Sequence, residues 1–137
     1  MVATMSYNAD GLRVRKQDSA ATSRFVWDQQ NVLLETDADG TIQAAYTLQP
    51  RAYGNLISQR RGEDSHFHHF DALGSVRELT DSSQSVSDTY LHEAFGDLIA
   101  HTGTTVNPFR WVGSVGYYCD LNTVGPYAAI TRLAYYI

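Results

Sequence analysis

The histidines His66, His68 and His69, with Asp71 close behind, come nearest in this chain to residues whose type and spacing could do chemistry. Side chains alternate along a β-strand, so His66 and His68 would point to one face. A third ligand such as His92, from a neighbouring strand, would complete the set that a catalytic zinc ion needs. A small metal-dependent hydrolase is the function such a site would carry. The spacing selects no third ligand, and ordinary strand histidines give the same pattern. Asp71, Glu78, Asp81, Asp88 and Glu93 supply carboxylates for an acid–base pair, which requires one group in an environment that raises its pKa and one left ionised. Several of them stand beside turn residues, where a carboxylate has the simpler task of binding backbone N–H groups. Cys119 could act as a nucleophile with a base such as His101, but no local pattern joins the two. No GxSxG elbow, phosphate loop, HExxH segment or CxxC pair occurs. The expectation is therefore no enzyme, with no catalytic, cofactor-binding or metal-binding residue.

Aromatic side chains offer a different chemistry. Trp27, Tyr46, Tyr53, Tyr90, Trp111, Tyr117 and Tyr118 could form a stacking platform for a glycan or a protein, or could pack within a sheet. The elements that would position them are short strands between turns. Asp10-Gly11 and Asp39-Gly40 are strong hairpin signals, because glycine tolerates positive φ. Further turns are expected near 29–31, 53–55, 72–74, 82–84 and 95–97. Aligning Gly11, Asn31, Gly54, Gly74 and Gly96, with half-period turns at Gly40 and Gln84, gives a strand-turn-strand-turn rhythm. A unit of this size cannot bury both faces alone, so neighbouring hairpins should pair edge to edge into one antiparallel sheet. Alternation puts Phe25 and Trp27 opposite Val26, and Phe67 and His69 opposite His68 and Phe70. Residues 91–100 have apolar positions compatible with a short helix, but Gly96 in their middle and the match to earlier units favour strands. Arg61 to Ser65 reads as a long hairpin loop.

Composition narrows the classes. Leu, Ile, Val and Phe make up 31 of 137 residues, near the lower edge for a globular core, and nine tyrosines and two tryptophans add to it. The formal net charge is −5, with residues 1–61 near neutral and the remainder acidic, which leaves no positive field for nucleic acid. No apolar run approaches a membrane span, and no signal-peptide core follows Met1. One cysteine excludes an internal disulfide.

Trp27-Asp28-Gln29-Gln30-Asn31, Phe70-Asp71-Ala72-Leu73-Gly74 and, with asparagine at the acidic position, Tyr7-Asn8-Ala9-Asp10-Gly11 resemble the YD repeats of the Rhs family. Glu93-Ala94-Phe95-Gly96-Asp97-Leu98 is similar to a variant of the same unit. The likeness is strongest in FHHFDALGSVRELTD (67–81) and NPFRWVGSVGYYCDLNT (107–123), which resemble the Rhs repeat-associated core. Arg132 to Tyr136 resembles that core's last strand, with Leu133 and Ala134 departing from it. The resemblance implies an all-β fold: an antiparallel sheet of consecutive YD-repeat hairpins, a curved fragment of an Rhs-type shell. Degenerate repeats would span 1–66 and a core-like segment 67–137, continuous with the same sheet. It implies a structural or interaction module, from a secreted or cell-surface parent, with no self-cleaving segment or toxin within the chain. Expected partners are other YD-repeat strands, or a second copy at an open sheet edge. Asp28 and Asp71 would fix turns by accepting backbone hydrogen bonds, and Arg77 and Arg110 would pair with acids of adjacent hairpins.

Past Gly125-Pro126, the residues from Tyr127 to Ile137 should run as a closing strand, with Leu133 inside.

Overall fold

The computed structural model describes residues 3–120, and the proposed closing strand from Tyr127 to Ile137 lies outside them. Ten strands follow in chain order, β1 (Thr4–Tyr7), β2 (Arg13–Gln17), β3 (Thr22–Asp28), β4 (Asn31–Thr36), β5 (Ile42–Leu48), β6 (Leu56–Arg61), β7 (Asp64–Phe70), β8 (Val76–Thr80), β9 (Val86–His92) and β10 (Leu98–Thr102). They form one open sheet in which every strand pairs antiparallel with its sequence neighbours. Residues 91–100, where a helix competed, hold the end of β9, a turn and the start of β10.

One turn recurs five times, and backbone chemistry explains it. In 8–12, 37–41, 71–75, 81–85 and 93–97 the first N–H donates to the fifth carbonyl and the fourth N–H to the first carbonyl. The first residue is Asn8, Asp37, Asp71, Asp81 or Glu93. In the four Asn or Asp cases its Oδ1 also accepts the N–H groups of the third and fifth residues at 2.9–3.0 Å. The fourth residue needs positive φ and is glycine everywhere except Gln84, at φ 69°. Two residues beyond each turn the register slips by one, at Val14, Gln43, Arg77, Ser87 and Ile99. Such a slip re-aims side chains.

The repeat spacing read from the sequence follows the turns at one end of the sheet. Its residue alignment needs correction, because Asn31 and Gly54 do not occupy the glycine position. Asn31 opens β4 after a two-residue turn at Gln29-Gln30, and its side chain ties down the loop between β5 and β6, with Nδ2 donating to the Arg51 carbonyl (2.7 Å) and Oδ1 accepting from Gly54 N–H (2.9 Å). The expected long loop at Arg61 to Ser65 is instead a tight turn of Gly62-Glu63, with Arg61 paired to Asp64 and Gly62 at φ 59°. A further turn at Asp18, whose Oδ1 accepts the Ala20 and Ala21 N–H groups, contains no glycine to mark it in the sequence.

One sheet face carries the core. Phe25, Val32, Ala44, Tyr46 and Leu56 join Phe109 and Tyr118 in one buried cluster, and Val76, Leu79 and Tyr90 form a second, with Phe70 touching both. Phe25 and Trp27 face this side and Val26 faces out, as alternation required. His68 is likewise buried there, and Phe67 is exposed.

Candidate functional site

After β10 the chain leaves the sheet, and residues 103–120 run back over the core face as a strap. Gly103 begins it at φ 87°, where a Cβ would collide with Asp88. Asp88 Oδ1 accepts the Thr105 N–H (2.9 Å), and Gln59 Nε2 donates to the Val106 carbonyl (2.9 Å). Asn107 Oδ1 accepts from Phe109 N–H (3.0 Å) and lies 3.3 Å from His68 Nε2. The strap then reaches the end of the β7–β8 hairpin. Val76 N–H donates to the Arg110 carbonyl, Val112 N–H to Ser75 Oγ, and Ser114 N–H to the Gly74 carbonyl. A short 3₁₀ turn at Gly113–Val115 reverses it. Cys119 N–H returns to the Pro108 carbonyl (2.7 Å), and Asp120 arrives over β2.

Two polar networks lie beneath this strap. At its end Asp120, 1% exposed, accepts from Arg13 (2.8 Å) and Lys16 (3.1 Å), both themselves buried. The slip at Val14 lets Arg13 and Lys16, three positions apart, face the same side. Burial pushes the Asp120 carboxyl up, but its two cations outweigh that and hold it below its ordinary value. The Arg13 guanidinium also sits over the rings of Phe25 (5.0 Å) and Tyr118 (5.3 Å). Next to it, Glu35 accepts from Tyr46 Oη (2.6 Å) and Arg61 (3.3 Å). Burial, then the Glu35 charge, hold the Tyr46 hydroxyl well above its usual range. Lys16, Glu35, Arg61, Tyr118 and Asp120 line a half-open cleft of about 320 Å³.

The second network gathers residues that the sequence had marked separately. His66 Nε2 lies 3.2 Å from Thr105 Oγ1, and His101 stacks on Tyr90 at 4.7 Å, with its Nε2 3.8 Å from Asp88 Oδ1. Burial pushes His68 down to about 4, so the ring is neutral at ordinary pH. His66 and His68 do share a face, but each turns its Nε2 to the strap. His92 instead stacks near Tyr90, and His69 faces Thr80 on the other side (2.9 Å). Among the described residues no three His, Cys, Asp or Glu side chains gather as metal ligands. Burial pushes the Cys119 thiol up, away from the thiolate that a nucleophile requires. Asp71 and Asp81 hold turns, and hydrogen bonds to Ser83 and Ser85 keep Asp81 below its ordinary value. Among the described residues Arg110 pairs with no acid. Its Nε donates to the Asn107 carbonyl (3.0 Å), and its guanidinium lies over Tyr90.

Of the aromatic residues, Tyr46, Tyr90 and Tyr118 are buried, and Tyr53 is exposed. Trp27 packs against the core and donates from Nε1 to the Arg13 carbonyl, and Trp111 meets Tyr117 edge to face. The anchors Arg13, Lys16, Glu35, Gln59 and Asn107 escaped the sequence reading. The only signal of the first four was charged or amide residues at strand positions, and the partners of Arg13 and Lys16 lie more than a hundred positions away.

The arrangement is that of a covered face, on which hydrogen bonds and cations hold the Asp88 and Asp120 carboxyls below their ordinary values.

Comparison with solved structures agrees with that architecture. The crystal structure of TcdB2-TccC3-TEV superposes over 87% of this chain and 6% of its own, with a TM-score of 0.59 at 14% identity, a likeness of fold. The fold is Rhs-like. No protein-family model matches it. The tRNA3(Ser)-specific nuclease WapA of Bacillus spizizenii is 32% identical over 97 residues, and the tRNA nuclease WapA of Bacillus subtilis is 30% identical over 97. The tRNA(Glu)-specific nuclease WapA of Bacillus subtilis subsp. natto is 31% identical over 100. Each alignment takes in 69% of this chain and 4% of its relative. No helix among the described residues is long and apolar enough to cross a membrane.

Proposed function

We propose that this chain is a wall module of an Rhs-type shell, with residues 67–137 as its repeat-associated core and no catalysis of its own. The observation that carries this reading is the repeated turn, which builds a sheet able to add hairpins indefinitely, together with a strap that covers one face. The stretch shared with the WapA nucleases is, on this reading, wall and not nuclease. Its partners are further YD-repeat strands at the outer edges of β1 and β10, the end strands of the sheet among the described residues.

The reading is tested by fusing two YD-type hairpins ahead of residue 1. The expected result is a rise in the thermal midpoint and slower amide exchange in β1, because an edge becomes an interior strand. An unchanged midpoint with unchanged β1 exchange would refute edge extension. Incubating the purified chain with tRNA should leave the tRNA intact, and cleavage that copurifies with the chain through a further column would refute the non-catalytic assignment.

A further inference from the structure

The five copies of the turn provide an internal control for surface chemistry. Their third residue projects from the tip, and it is Asp10, Asp39 or Ser83 in three copies but Leu73 or Phe95 in two. The turn itself therefore does not demand an apolar tip. Leu73 is 67% exposed and Phe95 89%. They occupy successive hairpins at the same end of the sheet, and the loop of the preceding hairpin adds Tyr53, 48% exposed. Solitary exposed apolar residues are ordinary, but three on consecutive hairpins form a row.

Charge is distributed unevenly along that row. Exposed Arg51 stands beside Tyr53 at one end, and exposed Glu93 and Asp97 flank Phe95 at the other. Leu73 is in the middle, two strands from each neighbour, or about 9.5 Å either way at normal strand spacing. A twofold axis through Leu73 would superpose Tyr53 of one copy on Phe95 of the next. The same rotation brings Arg51 to the acidic pair, and the contact repeats reciprocally.

We infer that this rim is a self-complementary contact through which two copies of the chain associate end to end, Leu73 against Leu73 and Tyr53 against Phe95. The contact uses turn tips, so it is independent of pairing at the β1 or β10 edges. It also closes, whereas edge pairing between copies adds chains without limit.

Sedimentation equilibrium of the full chain over an about hundredfold concentration range reads both properties. The expected mass rises from one chain towards two and stops there. Joint substitution Leu73→Ser and Phe95→Ser should weaken dimerisation by about tenfold or more. Arg51→Glu and Asp97→Arg should each weaken it, and the two together should restore it. All four residues are exposed, so circular dichroism of each variant should match the parent. A single-chain mass throughout, a dimer indifferent to the serine substitutions, or growth beyond two chains would each overturn the inference, the last in favour of edge pairing.

Discussion

Removing the charge of Asp120 would strand two buried cations. Asp120→Asn should destabilise the fold by about 3–5 kcal/mol in chemical denaturation, because an uncompensated buried charge costs more than the intact pair contributes. Replacing Arg13, Lys16 and Asp120 together by apolar residues should recover much of that loss. β8 shows that the geometry accepts such residues, since Val76 and Leu79 occupy the same offset from their slip as Arg13 and Lys16 do in β2 and are fully buried. His68 sets a pH dependence of definite sign. Its folded pKa of about 4 lies below the ordinary value of 6.5, so between those values the unfolded chain binds the extra proton. Stability should therefore fall as pH drops from about 6.5 to about 4 and change no further on this account below that. Urea midpoints across the window should flatten in His68→Gln, and an unflattened profile would remove His68 as the cause.

The turns are separable elements. Gln84 is the one non-glycine at the positive-φ position, so Gln84→Gly should stabilise by about 1 kcal/mol. Glu93 begins the one copy without the side-chain bridge, and Glu93→Asp should gain a few tenths to about 1 kcal/mol by adding it. Thermal midpoints of both variants test this; a fall in either would mean that its turn is held by something else. Phe109 is the strap's wedge in the core, 2% exposed, and Phe109→Ala should cost about 3–5 kcal/mol. Most hairpins were legible in the sequence because the repeated turn is local, decided within five residues, in three of its five copies by an Asn or Asp and a glycine. The β-class and the opposition of Phe25 to Val26 and of His68 to Phe67 followed from the same local rules, and which side faces the core is set by the strap. The strap was not legible. NPFRWVGSVGYYCD resembled a known core segment, but its seat depends on Gln59, Asp88 and Arg13, whose partners are set by tertiary geometry. The tight turn at Gly62-Glu63 was obscured by charged neighbours that read as a long hairpin loop.

At the scale of the molecule, stability should be graded. β4 to β8 are paired on both sides and lie under the strap, and β10 is exposed along its whole length. Amide exchange should be slowest in β5 and β6 and fastest at β1 and β10; uniform protection would contradict a strap-centred core. The strap also ties together the beginning and the end of the described chain, with Arg13 and Asp120 separated by 107 positions. Hairpins can form in microseconds, whereas this last contact closes a loop nearly as long as the described chain. Asp120 finds both cations only when every intervening strand has taken its proper register, because a slip of one residue turns a strand's inward side chains outward. The ion cluster should thus act as a completion check during assembly, with one misaligned hairpin expected to leave the final carboxylate without a seat and the core face uncovered.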